Sequence, residues 1–424
     1  MSTRNKNIAS HPNSPVDITY DVVIVGGGAA GISTAASLLS RQSNLNIAIL
    51  EPAEVHYYQP GWTMVGGGIF TAQSTARTMS SLIPHEVKWI KAAVAAFDPD
   101  NNAVALEGGR AIGYVRLVVC PGLKLNWNQV EGLSDTLGKN GVTSNYRFDL
   151  APYTWELVKG LKEGCAIFTQ PPMPIKCAGA PQKAMYLSAD HWLRSNVLKS
   201  INLNFMNAGG TLFGVKEYVP ALMSYIEKYN THLNFFHNLI AVDGVAKKAW
   251  FTVAKPDSEK QTIEVEFDII HVTPPQSAPD FIKQSVLADT AGWVDVDQAS
   301  LRHKTYDNIW SLGDVMNAPN AKTAAAVRKQ APIVAANIAS DIKSQGVNAH
   351  YDGYGSCPLT VERGKVILAE FGYEGKLLPS FPAWLNDGTK PAAIAWFLKA
   401  KLLPWIYWNV MLRGKEWLVK PKKI

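Results

Sequence analysis

The stretch Asp21-Val-Val-Ile-Val-Gly-Gly-Gly-Ala-Ala-Gly31 constrains this chain more than any other. Four apolar residues, 22–25, read as a buried parallel strand. Gly26, Gly28 and Gly31 follow in the spacing G-x-G-x-x-G. The first glycine allows the tight turn, the second lets backbone approach a pyrophosphate, and the third packs the next helix on the strand. That helix, expected over residues 29–39, aims unpaired N–H groups and the positive end of its dipole at the phosphates. A second strand, 46–50, ends in Glu51. This lies about 20 residues past the third glycine, where an acid accepts from an adenosine ribose. Strand, turn, helix, strand and acid in this order specify a dinucleotide site, and leave NAD and FAD both open.

A chain of 424 residues has room for two or three domains. Four cysteines are too few for a disulfide framework, so a bridge here is catalytic rather than structural. The polar stretch before Asp17 has no apolar core of a secretory signal and reads as a disordered tail over 1–19. Residues 381–424 carry eight lysines and arginines against two acids, which accounts for the whole net charge of +6. The rest of the chain is balanced, which argues against a nucleic-acid surface. No metal is expected.

After Glu51, the loop His56-Tyr-Tyr-Gln-Pro-Gly-Trp-Thr63 reads either as packing against a flat cofactor ring or as ordinary loop packing. Short strands are expected at 87–94, 103–106 and 114–119, the last running into Cys120-Pro-Gly122. A second α/β unit begins near Gly164, with strands at 165–169 and 202–206 and helices at 181–197 and 215–229. Strands at 249–253, 262–267 and 269–273 complete it. Its first strand-to-helix turn reads Gln170-Pro-Pro-Met-Pro-Ile-Lys-Cys177 and has no glycine fingerprint, so no nicotinamide nucleotide is expected there. Asn308-Ile-Trp-Ser-Leu-Gly-Asp314 is a strand closing on Gly-Asp before a helix over 322–342. Such a carboxylate suits a ribityl or pyrophosphate oxygen, and the helix start suits a reduced flavin ring.

These segments resemble the two-dinucleotide-binding-domain flavoproteins, and within them the sulfide:quinone oxidoreductase family. The resemblance rests on residues 22–28, Leu50-Glu51, Val119-Cys-Pro-Gly122 and Trp310-Ser-Leu-Gly-Asp314. More specific are Tyr58-Gln-Pro, Pro174-Ile-Lys-Cys-Ala-Gly-Ala-Pro-Gln-Lys-Ala-Met-Tyr-Leu187, Phe213-Gly-Val-Lys216, Tyr351-Asp-Gly-Tyr-Gly-Ser-Cys-Pro-Leu359 and Val366-Ile-Leu-Ala-Glu-Phe371. It runs from Tyr20 past Trp384. Cys120 departs from it, since the family more often has a small non-thiol residue there. The implied fold is α/β, with two Rossmann-like domains and a C-terminal amphipathic helical membrane-binding segment. The expected divisions are an FAD domain over 20–160 and 276–345, a second unit over 161–275, and a cysteine loop with anchoring helices over 346–424. FAD contacts are expected at Gly26, Gly28, Ala29, Ala30, Gly31, Glu51, Gln59, Pro60, Val94, Gly122, Gly313, Asp314, Lys322 and Thr323.

The four cysteines separate by context. Cys120 and Cys165 end apolar strands and read as packing. Cys177 and Cys357 read as loop residues with small neighbours. Lys176 and a helix starting near Pro181 both favour a Cys177 thiolate. Spacing alone leaves a redox pair open. The resemblance implies that the two form a disulfide over the flavin, that hydrosulfide leaves a persulfide on Cys357, and that Cys177 is the thiolate facing the ring. It further implies a small sulfur acceptor (glutathione, sulfite or hydrosulfide) and a quinone, ubiquinone or menaquinone. Residues 391–412 approach the length of a membrane span, but Lys399, Lys401 and Pro404 interrupt them. As a helix they place Ile394, Phe397, Leu398, Leu402 and Trp405 on one face. Lys401 sits near that face, as in a helix lying in a membrane interface. A peripheral protein of a mitochondrial inner membrane, or of the cytoplasmic side of a bacterial one, is expected, with a homodimer left open. A type II NADH:quinone oxidoreductase and a redox-silent flavin-binding adaptor are the competing readings.

Overall fold

The computed structural model describes residues 16–256, 258–319 and 321–421. The first unit is a seven-stranded sheet in which Val16–Val25 is flanked in parallel by Ile47–Leu50 and Ala111–Val119. Val87–Ile90 extends it beyond Ile47–Leu50. Residues 22–24 are fully buried, so both faces of this strand are covered, as its unbroken apolar run requires. Ala111–Val119 changes partner along its length. Its first half pairs antiparallel with Ala103–Leu106, and its last residues pair parallel with Ile309–Ser311. The Gly-Asp turn is thereby placed beside the glycine turn.

Two boundaries differ from expectation. The first strand begins at Val16 because residues 16–20 pair with 111–114, so 16–19 are not tail. Residues 1–15 lie outside the described residues. The expected strand over 87–94 is two strands, Val87–Ile90 and Val94–Asp98, which pair with different partners.

The second unit is an all-parallel sheet ordered Val142–Thr143, Ile269–His271, Gly164–Gln170, Ile201–Asn207 and His232–Phe235. Helices Ala180–Arg194 and Val219–Lys228 provide crossovers. Val142–Thr143 brings this sheet back across the expected division at 160. A hairpin, Gly355–Glu362 with Lys365–Phe371, packs Leu359, Val361 and Ile367 against the Ala180–Arg194 helix. Cys357 therefore lies in a strand, opposite Ala369, rather than in a loop. Every residue of Gly355–Glu362 except Pro358 is buried, so this strand is covered on both faces.

The C-terminal segment is one helical run, Ala393–Phe397, a π turn over Leu398–Leu402, and Leu403–Asn409. Among the described residues no helix is long and apolar enough to cross a membrane. The segment is not a detachable appendage. Tyr407, Trp408, Met411 and Leu412 belong to the core of the first unit. Beyond them, Glu416 accepts from Ser37 Oγ of the first helix at 2.5 Å and from Arg41 Nη2, just past that helix, at 2.9 Å.

Candidate functional site

The glycine turn is shaped from both sides. Gly26 has φ +105°, and a Cβ there would lie 2.6 Å from the Cys120 carbonyl oxygen. A Cβ on Gly31 would lie 1.9 Å from the Gly26 oxygen, so this helix can meet its strand only through glycine. Gly28 is different: a Cβ would meet nothing within 4 Å. It opens the helix Ala29–Leu39, which has no side-chain cap and no acid in its first turn. The free N–H groups and the positive helix end thus face open space, and they fit a pyrophosphate. Glu51 Oε2 accepts from Gly27 N at 2.8 Å and Oε1 from Ala53 N at 2.8 Å, which fixes the carboxylate at the turn. Gly122, at φ +77°, also has open space where a Cβ would be. Glu51 N donates to Ile90 O at 3.1 Å, and Val94, buried in the core of this unit, opens the next strand.

Gly313 and Asp314 connect this cradle to the cysteines. Gly313, at φ +80°, would place a Cβ 3.4 Å from Ala30 of the first helix. Asp314 is half-buried. Burial pushes its carboxyl above the usual range, opposed by the charges of Lys176 and Lys322. Lys322 Nζ donates to the Asp314 and Met316 carbonyls at 2.8 and 3.0 Å and lies over the Trp293 ring. Burial pushes Lys322 down to about 8. It is a brace for the Gly-Asp turn. Thr323 caps the helix Ala324–Ile342, its Oγ1 accepting from Ala326 N at 3.2 Å. The step to the thiols is a backbone bond: Cys177 N donates to Lys322 O at 3.0 Å.

Cys177 and Cys357 lie side by side as thiols. Cys177 has φ +53°, a left-handed conformation that costs a non-glycine residue of order 1 kcal/mol and is found where surroundings enforce it. Its sulfur is held well below the usual thiol range. The hydrogen bond from Cys357 is the largest cause, and Lys183 and Lys399 supply positive charge. Lys183 Nζ donates to Cys177 Sγ at 3.1 Å. Cys357 is pushed up by Cys177 and by burial, partly offset by the charge of Lys183 and by the Gly179 amide. Two expectations are corrected here. The cation touching Cys177 is Lys183, not Lys176, whose Nζ turns away to Gln59 Oε1. The amide at the helix start, that of Gly179, acts on Cys357 rather than on Cys177.

Lys183 and Lys399 went unassigned in the sequence. Lys183 stands inside the Pro174–Leu187 motif, two turns of chain past Cys177, where only the fold shows that it returns to the sulfur. Lys399 reads as a break in an apolar helix. In the structure it is 3% exposed, and its Nζ donates to Pro60 O at 3.1 Å. Burial and Lys183 push it down to about 7, opposed by both cysteines. Gln59 and Pro60 thus stand at the thiol end of the site. The aromatics around them pack on protein: Tyr58 meets Tyr407 and Trp408, and Tyr57 meets Phe148 and Trp62. His56 is pushed down to about 4 by burial and is neutral at pH 7. Because the Gly27 carbonyl can only accept, His56 Nδ1 carries the proton and donates to it at 3.3 Å. Nε2 then accepts from Tyr407 OH at 2.7 Å, tying the C-terminal helix to the glycine turn.

Residues 20–154 match the family described as pyridine nucleotide-disulphide oxidoreductase. The chain is 41% identical to mitochondrial sulfide:quinone oxidoreductase of Mus musculus over 93% of its length and 87% of that protein's. It is 43% identical to mitochondrial sulfide:quinone oxidoreductase of Dictyostelium discoideum, covering 93% of this chain and 86% of that one. Its fold matches the X-ray structure of the sulfide:quinone oxidoreductase from Aquifex aeolicus with TM-score 0.77, at 18% identity, over 95% of this chain and 97% of that one.

Proposed function

The chain belongs to the sulfide:quinone oxidoreductase family, and from that premise we propose that it oxidises hydrosulfide at the Cys177–Cys357 pair and delivers two electrons to a quinone. The observation that carries this is the pair itself. Two thiols far apart in sequence meet on one path from the glycine turn, with Lys183 Nζ 3.1 Å from one sulfur. The cradle, Glu51, Gly122, Gly313 and Asp314 fit FAD, which would supply the two-electron acceptor between a thiolate and a quinone.

The chain's own residues divide the chemistry. In the oxidised form the two sulfurs share a disulfide. Hydrosulfide attacks Cys357 Sγ; a new S–S bond forms there, and the Cys177–Cys357 bond breaks with its electron pair on Cys177. Cys177 is the better leaving group because Lys183 and Lys399 stabilise its anion. A nucleophilic acceptor such as glutathione, sulfite or hydrosulfide then takes the outer sulfur from Cys357, leaving both cysteines reduced. Closing the disulfide again releases two electrons, which, with two protons, turn a quinone to quinol. Lys183 and Lys399 also attract the incoming anion.

The quinone dissolves in a bilayer, and the C-terminal helix exposes Ile394, Phe397 and Trp405. The proposed location is a peripheral position on an inner membrane, and the relatives named above are mitochondrial. In the second unit the strand-to-helix turn is occupied by the protein's own sulfur site, which favours this reading over NADH oxidation. Anaerobic mixing tests it. Sulfide should bleach the flavin of the holoprotein within a turnover, while NADH should not. Bleaching by NADH alone would return the chain to the NADH:quinone oxidoreductases, and bleaching by neither would favour a redox-silent role.

A further inference from the structure

The C-terminal helix carries two lysines two positions apart, and they face opposite ways. Lys399 is buried against Pro60 beside the cysteines. Lys401 is exposed. After Ala393 at its start, the exposed positions of the helix are Ile394, Phe397, Lys401 and Trp405, spaced by three, four and four. That spacing draws one stripe along a helix, while Ala395, Lys399 and Ile406 lie buried behind it. The apolar members are substantially open, with Phe397 61% and Trp405 54% exposed. Trp384 and Leu385 before the helix, and Leu418 after it, are exposed as well. Apolar surface gathered in this way marks an interaction face.

Lys401 stands in the middle of the stripe. Among the described residues it has no hydrogen-bond or ion-pair partner. Residues 388–415 contain five lysines and arginines and no aspartate or glutamate. Arg77, also exposed, lies 4.4 Å over the ring of Trp408, one turn beyond Trp405. Lys415 is exposed beyond the helix end. The stripe thus offers apolar side chains to an apolar phase and cations, with no acid among them, to whatever anion borders that phase.

We propose that this stripe docks on a bilayer carrying anionic phosphate headgroups, and that Lys401 binds the lipid phosphate between Phe397 and Trp405. The inference rests on the membrane reading above and adds the lipid chemistry to it. A lysine between two apolar neighbours reaches back to headgroup level by extending its stem. At that level a phosphate is the anion within reach. Arg77 and Lys415 add attraction that decays within a Debye length.

The test is sedimentation of the full-length holoprotein with vesicles of phosphatidylcholine alone, or with about a quarter phosphatidylglycerol, at ~0.1 M salt. Binding to the anionic vesicles should be tighter, and the preference should fade at ~0.5 M salt. Lys401→Gln should lose about fivefold in affinity for the anionic vesicles only. Its sulfide-dependent flavin bleaching should stay at the wild-type level, showing an intact fold. Phe397→Ser should weaken binding to both vesicles. Equal binding to neutral and anionic vesicles, or an unchanged preference in Lys401→Gln, would overturn the proposal. Binding to neither vesicle would overturn the membrane reading on which it stands.

Discussion

The two strand-to-helix turns of this molecule occupy the same place in two parallel sheets and do opposite things with it. In the first, Gly26–Gly31 is short and stripped of side chains, and the uncapped helix end at Gly28 faces open space. In the second, a longer turn from Pro171 to Gly179 brings a cysteine in a left-handed conformation between the strand and helix Ala180–Arg194. Its helix end is likewise uncapped by a side chain, but the Gly179 amide there lowers the pKa of Cys357, against the rise imposed by Cys177 and burial. Both turns use the positive end of a helix. On the proposed function, one would offer it to a cofactor's phosphates, the other to the protein's own sulfur. A βα turn is thus an anion site by construction, and the residues filling it decide whether the anion comes from outside or within.

The comparison breaks most severely at the sulfurs. Cys177→Ser or Cys357→Ser should lower sulfide turnover by at least about 10³-fold while the flavin absorbance is retained, because neither residue shapes the glycine cradle. Full activity in either variant would remove the second turn from the chemistry. The first turn should split into two outcomes. Gly31→Ala drives a methyl into the Gly26 carbonyl and should cost about 3 kcal/mol or prevent folding. Gly28→Ala has room in the protein itself, so its unfolding temperature without cofactor should stay near wild type. Its affinity for FAD should fall by about tenfold, because the methyl stands where the pyrophosphate belongs. Unchanged affinity would place the phosphates elsewhere.

Smaller and more diagnostic effects concern the lysines. A cation lowers a thiol's pKa, so Lys183→Met should move the midpoint of Cys177 alkylation against pH upward and slow alkylation at pH 7. Lys399→Met should act in the same direction. Lys399, pushed down to about 7, gives up its charge as pH rises through that value. The difference between Lys399→Met and wild type should therefore be largest below pH 7 and close above it. The smallest effect belongs to Cys120→Ala and Cys165→Ala, which should cost about 1–2 kcal/mol and leave turnover intact. Both thiols are pushed up, chiefly by burial, and so hold little thiolate at neutral pH.

The first turn was legible because its determinants are local. Spacing of glycines, an apolar run and an acid are all read within one stretch, and the helix Ala29–Leu39 falls where that pattern puts it. The second turn was legible only in part. Cys177 and Cys357 could be singled out by context and by resemblance, yet their charge environment depends on side chains from three elements. Lys183 comes from one turn into a helix, Lys399 from a π turn in the C-terminal run, and Cys357 from a hairpin strand. Lys176, adjacent in sequence, was the local choice and faces Gln59 instead. The C-terminal helix shows the same limit. Its apolar face was visible from helical spacing, but the burial of Tyr407, Trp408 and Met411 in the first unit's core is set by contacts with residues hundreds of positions earlier. His56, read as loop packing or cofactor contact, joins that helix to the glycine turn for the same reason.

In the proposed reaction the two sulfurs have unequal roles, Cys177 leaving and Cys357 receiving. The most direct measurement traps the enzyme-bound sulfur. Oxidised holoprotein takes one equivalent of sulfide without oxygen or sulfur acceptor, is alkylated at once, and is digested for mass spectrometry. The added sulfur, one atom of mass ~32 Da, should sit on the peptide containing Cys357, with Cys177 alkylated as a plain thiol. Added sulfur on the Cys177 peptide, with Cys357 unmodified, would contradict the account and reverse the two roles.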